Sequence, residues 1–327
     1  MRLRLDPLIA AILVAAVVAS FVPATGDVLD VLKQAAVVAI GALFFLYGAR
    51  LSTAETLSGL TRWKLHLVTL ATTFAVFPLV GLAVQPLGGN VLTPSLANGV
   101  LLLCLVPSTV QSCIVYTRIA GGNVAGAVVS ASMSNLVGVF LTPVLVAVLM
   151  SADATVDAGS VVRIVLQLFA PFVLGQLLRP LVGSFVARRD AQLRLFDRGS
   201  IVLVVFVAFS EAADAHIWSS QSVWSVLAVA LVCVLLLAGA MGWSVLVGRV
   251  LRLPRPDRVA LLFCGSNKSL ASGLPIASVL FAPDEVALIV LPLMLYHQMQ
   301  IITGAVIAGR LAPPDPSVGL RPTRGGA

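Results

Sequence analysis

A lysine lies in the middle of an apolar stretch that is long enough to cross a membrane. Residues 263–282 read FCGSNKSLASGLPIASVLFA, and residues 265–269 interrupt this stretch with small and polar side chains around Lys268. A lysine at the centre of a bilayer costs about 2.5–3.5 kcal/mol on insertion scales. Irregular backbone at that depth is tolerated only where protein or a water-filled cavity satisfies its polar groups. The stretch therefore predicts a binding site near the middle of the membrane.

The first half of the chain carries a counterpart to this interrupted stretch. Residues 101–119 read LLLCLVPSTVQSCIVYTRI, where Pro107 removes a helix donor and several hydroxyl and amide side chains follow it. Pro107 precedes Ser266 by 159 residues, close to half of the 327-residue chain. Two interrupted apolar segments at corresponding positions of two halves are typical of a secondary transporter with inverted repeats.

The composition indicates a polytopic membrane protein. Hydrophobic residues make up 59% of the chain, charged residues only 11%, and the mean hydropathy is +1.04, whereas soluble domains carry about 25% charged residues. The net charge of +7 comes from basic residues in short connectors, which argues against a nucleic-acid surface. The four cysteines lie inside apolar segments without paired spacing, so neither a disulfide framework nor a cysteine metal site is expected.

Ten segments have the length of about 20 mainly apolar residues that a membrane-spanning helix needs. They cover residues 7–23, 28–48, 65–85, 95–118, 123–149, 160–181, 197–213, 222–248, 257–282 and 285–309, and the fourth and ninth are broken. With the N-terminus in the cytoplasm, eighteen of the 21 Lys and Arg residues lie on the cytoplasmic side, Lys33 and Arg163 lie outside, and Lys268 lies within the membrane. This distribution follows the positive-inside rule and predicts that both termini are cytoplasmic.

An odd number of spans in each half gives the two halves opposite orientations. We therefore expect an all-α protein with two inverted five-helix repeats, at residues 1–150 and 151–312, followed by a disordered cytoplasmic tail at 313–327. The expected location is a bacterial plasma membrane, with the lipid bilayer as its surroundings. The oligomeric state is left open.

Two further groups of polar residues lie in apolar spans. Ser130 and Ser134 share one face of the fifth span, where they serve either close helix packing or a site. The tenth span carries a polar patch that serves either interhelical hydrogen bonds or ion coupling, at Tyr296, His297, Gln298 and Gln300. His66, at the end of the third span, is expected at the membrane interface.

The motifs of four spans resemble the bile acid:sodium symporter family, most of all its SBF-like subgroup. The similarity is carried by TRWKLHLVTLATTFAVFP, VPSTVQSCIVYTRIAGGNVAGAVVSASMSN, CGSNKSLASGLPIA and PLMLYHQMQ. The resemblance implies a panel of spans 1, 2, 6 and 7 and a core of spans 3–5 and 8–10, in which spans four and nine cross. It also implies sodium-coupled transport of an organic anion such as a bile acid, a steroid-like compound or a carboxylated metabolite.

The sodium-site motifs that this resemblance implies are only partly present. In the fourth span, the Pro-Gly-x-x-Ser-Asn motif is matched by Pro107 and Ser112, with Cys113 in place of the Asn. In the ninth span, the acid-x-x-x-Gln-Asn motif is matched by Asn267, with Ser266 in place of the Gln and Leu262 in place of the acid. A sodium-binding Gln of the third span falls on Thr73. Every Asp and Glu of the chain lies in a connector or at a helix end. The degenerate sodium sites are thus expected near Ser112, Ser266 and Asn267.

The loss of an acid and the gain of Lys268 suggest that the lysine ammonium replaces a bound cation. We expect it to lie against free carbonyls of the crossing half-helix and to face the substrate cavity. Without a carboxylate, Lys268 is uncharged, held by carbonyls and water, or paired with an anionic ligand, and these alternatives stay open. The candidate substrate- and ion-binding residues are Thr73, Thr109, Ser112, Cys113, Ser130, Ser134, Ser266, Asn267, Lys268, His297 and Gln298.

The leading function is secondary transport of a small organic anion by movement of the core against the panel. Sodium or protons are the candidate coupling ions, and uncoupled transport is an alternative; no other cofactor is expected. A membrane sensor or regulator that binds ligand without transport is the alternative from another class. An enzyme is not expected, because the spans show no nucleophile–base pair or paired carboxylates. Panel residues such as Phe44, Phe45, Tyr47 and Phe209 are compatible with either the cavity wall or lipid.

Overall fold

A computed structural model describes residues 7–50, 62–89, 91–150, 158–214, 216 and 222–313 of the chain. These residues form twelve helices, without a β-strand among them. Their bounds are α1 Pro7–Phe21, α2 Gly26–Arg50, α3 Trp63–Leu87, α4 Pro94–Leu105, α5 Val110–Ile119, α6 Val124–Met150, α7 Ala158–Arg188, α8 Asp190–Asp214, α9 Val223–Val250, α10 Arg255–Ser266, α11 Leu270–Leu280 and α12 Pro283–Leu311. The predicted tail lies outside the described residues apart from Pro313.

The all-helical prediction and both predicted breaks are confirmed. Each of the ten apolar segments coincides with a helix or with a broken pair of helices, α4 with α5 and α10 with α11. Among the described residues, six helices are long and apolar enough to cross a membrane, and the pair α4 and α5, bent by 60°, gives a seventh candidate. The six are α2, α3, α6, α7, α9 and α12.

The helices pack in two groups. In the first group, α2 lies along α7 and α1 along α8. Glycines permit the close approach of α2 and α7, because a Cβ at Gly48 would lie 2.0 Å from the Phe172 carbonyl oxygen and one at Gly175 would lie 2.0 Å from that of Phe45. The second group contains α3–α6 and α9–α12, and α8 packs against α12 where the groups meet. The first group corresponds to the expected panel and the second to the expected core.

The two breaks meet in the middle of the second group. Helix α10 packs against α5, and α11 against α4, so that each half of one broken pair contacts the opposite half of the other. The Ser269 N–H donates to the Pro107 carbonyl oxygen at 2.8 Å, which joins the two breaks directly. Gly138 of α6 makes room for Pro107, since a Cβ there would lie 2.7 Å from the proline ring.

Candidate functional site

The break between α4 and α5 leaves carbonyls that the helix itself cannot satisfy. Pro107 has no N–H to offer to the preceding turn, and the Ser108 N–H donates to Ser134 Oγ at 3.0 Å instead of continuing the helix. The Leu105 carbonyl accepts from Thr142 Oγ1 at 2.8 Å. The carbonyls of Cys104 and Val106 remain at the end of α4, with the negative end of the helix dipole behind them.

A π-helical turn in α3 frees one more carbonyl. Over Thr72–Val76 the helix widens, and the Phe77 N–H donates to the Thr72 carbonyl instead of the Thr73 carbonyl. The next residue, Pro78, has no N–H and cannot replace this donor. The Thr73 carbonyl is therefore left to a partner from outside α3. π-Helical turns are often found at functional sites because they free backbone groups in this way.

The Lys268 ammonium binds these three carbonyls. Its side chain is fully buried, and Nζ lies 2.9 Å from the Val106 oxygen, 3.1 Å from the Cys104 oxygen and 3.2 Å from the Thr73 oxygen. The ring of Phe77 covers Nζ at 3.9 Å from its centroid, which is the arrangement of a cation–π contact. An ammonium has three donors, and all three find oxygen partners. These contacts match one of the alternatives left open by the sequence, a lysine held by carbonyls, and the charge of the amine stays a prediction.

The backbone of Lys268 is held by a second set of side chains. Its N–H donates to Gln300 Oε1 at 2.7 Å, and its carbonyl accepts from Thr109 Oγ1 and Gln300 Nε2, both at 2.8 Å. A side-chain amide that binds both the N–H and the C=O of one residue replaces the hydrogen bonds that the broken helix lacks. Gln300 thus fixes the break on one side while the Lys268 side chain fixes it on the other.

The same amide contacts His297. Gln300 Oε1 must accept, because its partner is an N–H, and this orients Nε2 toward His297 Nδ1 at 2.8 Å. His297 Nδ1 also lies 3.2 Å from the Lys268 carbonyl oxygen, so the imidazole belongs to the hydrogen-bond network of the break. His297 lines a cavity that lies beside the two breaks. It is a polar group that connects this cavity to the break.

The end of α10 is satisfied by uncharged donors. Ser266 Oγ donates to the Leu262 carbonyl at 2.6 Å, and Ser108 Oγ to the Cys264 carbonyl at 2.8 Å. Cys113 Sγ lies 3.3 Å from the Phe263 oxygen, and the Tyr296 hydroxyl donates to the Ser266 carbonyl at 2.6 Å. Each of these carbonyls thus accepts a hydrogen bond from a hydroxyl or thiol, and none of these donors carries a charge.

The residues expected at degenerate sodium sites lie close together but are used for these hydrogen bonds. Asn267 Nδ2 donates to Ser112 Oγ at 3.1 Å and lies 3.5 Å from Cys113 Sγ, while Asn267 Oδ1 is buried without a partner. Sodium is a hard cation that requires several oxygen ligands, in the manner of other hard cations. One orphan amide oxygen, a thiol and an apolar side chain at Leu262 do not make such a ligand set. The described residues do not fit a bound sodium ion here.

A cavity of about 460 Å³ lies between the two helix groups. On the core side it is lined by the starts of α5 and α11, where Thr109, Ser112 and Ser269 lie, and by His297. On the panel side it is lined by α2 and α8, where Phe44 and Tyr47 contribute aromatic rings. Phe45 and Phe209 do not line it. The first turn of a helix presents free N–H groups and the positive end of its dipole, so the core wall favours an anion.

Several expectations about individual residues need correction. Lys268 is absent from the cavity wall: its side chain turns toward α3 and α4, so the expected orientation toward the cavity is wrong. His66, expected at the membrane interface, is 3% exposed and packs inside the protein, with its Nδ1 at 2.7 Å from Ser130 Oγ. Thr73 contributes its carbonyl, because its hydroxyl donates to the Thr69 carbonyl at 2.9 Å.

The remaining candidates divide between the break and other regions. Ser134 contacts the first break through the Ser108 N–H, whereas Ser130 bonds with His66 away from it. Gln298 lines neither break nor cavity, and its Oε1 is buried without a partner. Asn135 was missed: its Nδ2 donates to the Ser108 carbonyl at 2.7 Å, and its Oδ1 accepts from Ser272 Oγ at 2.9 Å. The signal in the sequence that could have identified Asn135 is a side-chain amide in an apolar span, one residue after Ser134.

Two broken helix pairs that meet beside a cavity at a helix-group boundary define a membrane protein of the secondary-transporter class. Comparison with known protein families gives the more particular assignment. Residues 6–313 match the SBF-like CPA transporter family, and the chain belongs to that family. It is an integral membrane transporter related to the bile acid:sodium symporters, as its motifs predicted.

Three relatives illustrate this membership. An uncharacterized protein of Pseudomonas aeruginosa is 43% identical, over 92% of this chain and 91% of the relative. A protein of Escherichia coli named "Putative symporter YfeH" is 41% identical, over 94% of this chain and 92% of the relative. Sodium/bile acid cotransporter 7 of Rattus norvegicus is 27% identical, over 83% of this chain and 81% of the relative. The similarity therefore extends over more than four fifths of each protein.

Proposed function

We propose that this transporter carries a small organic anion by alternating access and that the Lys268 ammonium takes the place of a bound sodium ion. The observation that carries the proposal is the position of Lys268 Nζ, within 3.2 Å of three backbone carbonyls at the end of α4 and in the π-turn of α3. Such a cluster of carbonyls at the negative end of a helix is a cation site. Here the cation is covalently part of the chain and cannot leave during the cycle.

The proposed substrate is an anion with an apolar body, either bile-acid- or steroid-like or a carboxylated metabolite. The cavity wall combines aromatic and aliphatic side chains with the starts of α5 and α11. No side chain caps α5, since Thr109 Oγ1 donates to the Lys268 carbonyl instead. The first N–H groups of α5 are then available to an anionic ligand, with His297 beside them. The name of the Rattus norvegicus relative is in line with a bile-acid-like solute.

In this proposal, transport does not require sodium. The carbonyls of Val106 at the end of α4 and of Phe263 and Cys264 at the end of α10 have donors from the chain itself. Leu262 occupies the position at which the family has an acid. A sodium ion would have to displace these donors without the help of a carboxylate. Transport is then driven by the anion gradient alone, or by protons in the alternative case.

The proposed topology has ten spans in two inverted repeats, residues 1–150 and 151–312, with spans four and nine broken. The panel then contains α1, α2, α7 and α8, and the core contains the other helices. With both termini in the cytoplasm, nearly all basic residues lie on the cytoplasmic side of a bacterial plasma membrane. Movement of the core against the panel would open the cavity between them to each side in turn.

The test is uptake of radiolabelled cholate into proteoliposomes under imposed sodium, potassium or proton gradients. The wild type is expected to give saturable uptake that is the same in sodium and potassium, and Lys268→Met is expected to lose it. Lys64→Met, an exposed lysine of α3, is the matched control and should retain uptake. Sodium-dependent uptake by the wild type would refute the replacement of sodium. Acceleration by a proton gradient would select the proton-coupled alternative, and binding without any uptake would refute transport in favour of a sensor.

A further inference from the structure

Helix α8 presents a stripe of charged residues to the cavity. The cavity-lining residues of this helix are Asp190, Arg194, Asp197, Arg198 and Ile201. At about 100° per residue they fall within an arc of about 100°, so one face of α8 forms this wall. Arg198 lies about 12 Å along the helix from its start, at a rise of 1.5 Å per residue, and is half-buried. The charged face therefore extends into the cavity from the predicted cytoplasmic side.

The two aspartates of this stripe are already paired. Arg50 Nη1 lies 2.5 Å from Asp197 Oδ2, and Arg50 Nε lies 3.9 Å from Asp190 Oδ1. Arg194 pairs with the other oxygen of Asp190, one helical turn away. Two arginines and two carboxylates thus neutralise each other at the mouth of the cavity.

Arg198 is the cationic residue that remains. Within the described part of the chain it takes part in no ion pair or hydrogen bond. The charged residues of the cavity wall are three arginines and two aspartates, which leaves a formal charge of +1 on the wall. A guanidinium stays protonated in proteins, and its charge beside a largely apolar wall is best satisfied by an anion. The charge of the wall matches a ligand with one negative charge.

We propose that Arg198 is the specificity-determining residue of the panel, which binds the anionic group of the transported solute. This inference rests on the proposed function and identifies how the panel recognises charge. The guanidinium forms paired hydrogen bonds to a carboxylate, sulfonate or phosphate ester. The start of α5 has no side-chain cap and supplies N–H donors, and the starts of α5 and α11 both bring positive dipole ends to the core wall. An anion between these walls contacts both moving parts of the transporter.

This arrangement also explains why the empty cavity would resist closing. Arg198 and the two helix starts all carry positive charge or positive partial charge, each helix start about +0.5 of an elementary charge. Bringing the walls together without a ligand places like charges near one another. A bound monoanion cancels this repulsion. Arg198 therefore couples occupancy of the site to closure of the two helix groups.

The test compares a charged ligand with its ester, which lacks the negative charge and carries one additional methyl group. Wild type, Arg198→Gln, Arg198→Lys and the control Arg189→Gln are placed in nanodiscs, and thermal shifts are titrated with cholate and with its uncharged methyl ester, below their micelle-forming concentrations. Arg189 is an exposed residue that bonds with Gln192 outside the cavity. The wild type and the control should prefer cholate to the ester. Arg198→Gln should weaken cholate binding at least tenfold and leave ester binding unchanged, and Arg198→Lys should fall between.

The outcomes separate this inference from the proposed function. Equal cholate affinity in Arg198→Gln and Arg189→Gln would overturn the role of Arg198 and leave organic-anion transport standing. Absence of cholate binding and of cholate uptake in the wild type would overturn both. Because Arg198 has no hydrogen bond among the described residues, Arg198→Gln should melt at the wild-type temperature without ligand. If Arg198→Gln melts at a different temperature, the comparison uses Arg198→Lys instead. A cholate affinity of Arg198→Lys equal to that of Arg189→Gln would contradict recognition of the anion by the guanidinium group.

Discussion

The two helix breaks face the same physical problem and solve it differently. Each leaves backbone carbonyls at the end of a half-helix inside the membrane, where no bulk water can satisfy them. At the end of α4 the carbonyls of Cys104 and Val106 accept from the Lys268 ammonium. At the end of α10 the carbonyls accept from hydroxyl and thiol donors, among them Ser108 and Tyr296. In the proposed mechanism, one break holds a fixed charge and the other holds none.

In the proposed mechanism, this difference is what lets the transporter work without an exchangeable cation. The donors at α10 are side chains of the crossing helices, so they fasten the two breaks together without adding charge. The lysine adds the single positive charge at the other break, from a residue that itself belongs to the α10–α11 connection. The carbonyls named here at both helix ends therefore find donors within the chain.

Removal of the charged donor should have the largest effect. Lys268→Met leaves three carbonyls without a donor, at about 1–3 kcal/mol each, while relief of lysine burial returns about 2.5–3.5 kcal/mol. The balance favours destabilisation by up to several kcal/mol. We expect a lower melting temperature in nanodiscs than for Lys64→Met. Equal melting temperatures for the two variants would show that the carbonyls at α4 do not depend on the ammonium.

A smaller loss is expected from the residue that fixes the backbone at the charged break. Gln300→Leu removes the acceptor of the Lys268 N–H, and an orphaned buried donor costs about 1–3 kcal/mol. Gln298→Leu is the matched control two residues away, because its Oε1 has no partner to lose. Thermal unfolding should therefore separate the two variants by several degrees. A control that is destabilised as much as Gln300→Leu would refute the specific role of Gln300.

The smallest effect should come from a single neutral donor at the other break. Tyr296→Phe removes one hydroxyl and leaves the Ser266 carbonyl without its 2.6 Å partner. A neutral hydrogen bond contributes about 0.5–1.5 kcal/mol, and the other donors at α10 remain in place. We expect a modest fall in melting temperature, with retained cholate uptake. If Tyr296→Phe were as damaging as Lys268→Met, the charged and neutral breaks would not differ in the way proposed.

The sequence contained much of the fold and only part of this site. Apolar length and Pro107 sufficed to locate the helices and the first break, because bilayer thickness and the missing proline N–H act locally. The contact of Lys268 with carbonyls of α4 could also be inferred from its lack of a carboxylate partner. The orientation of the Lys268 side chain away from the cavity could not be inferred, because it depends on the contact with the Thr73 carbonyl. That carbonyl is freed only by the combination of the π-turn with Pro78. Long-range pairs such as Asn135 with Ser272 depend on packing that one sequence does not specify.

The most direct test of the central claim asks whether a free cation can replace the ammonium. The melting temperatures of the wild type and of Lys268→Ala are compared in sodium, potassium, propylammonium and choline chloride at constant ionic strength. A ligand that binds the folded state raises its stability. We predict that the wild type melts at one temperature in all four salts. Lys268→Ala should melt lower in choline and recover in propylammonium or sodium. Sodium-specific stabilisation of the wild type, or a variant that no small cation stabilises, would contradict the account.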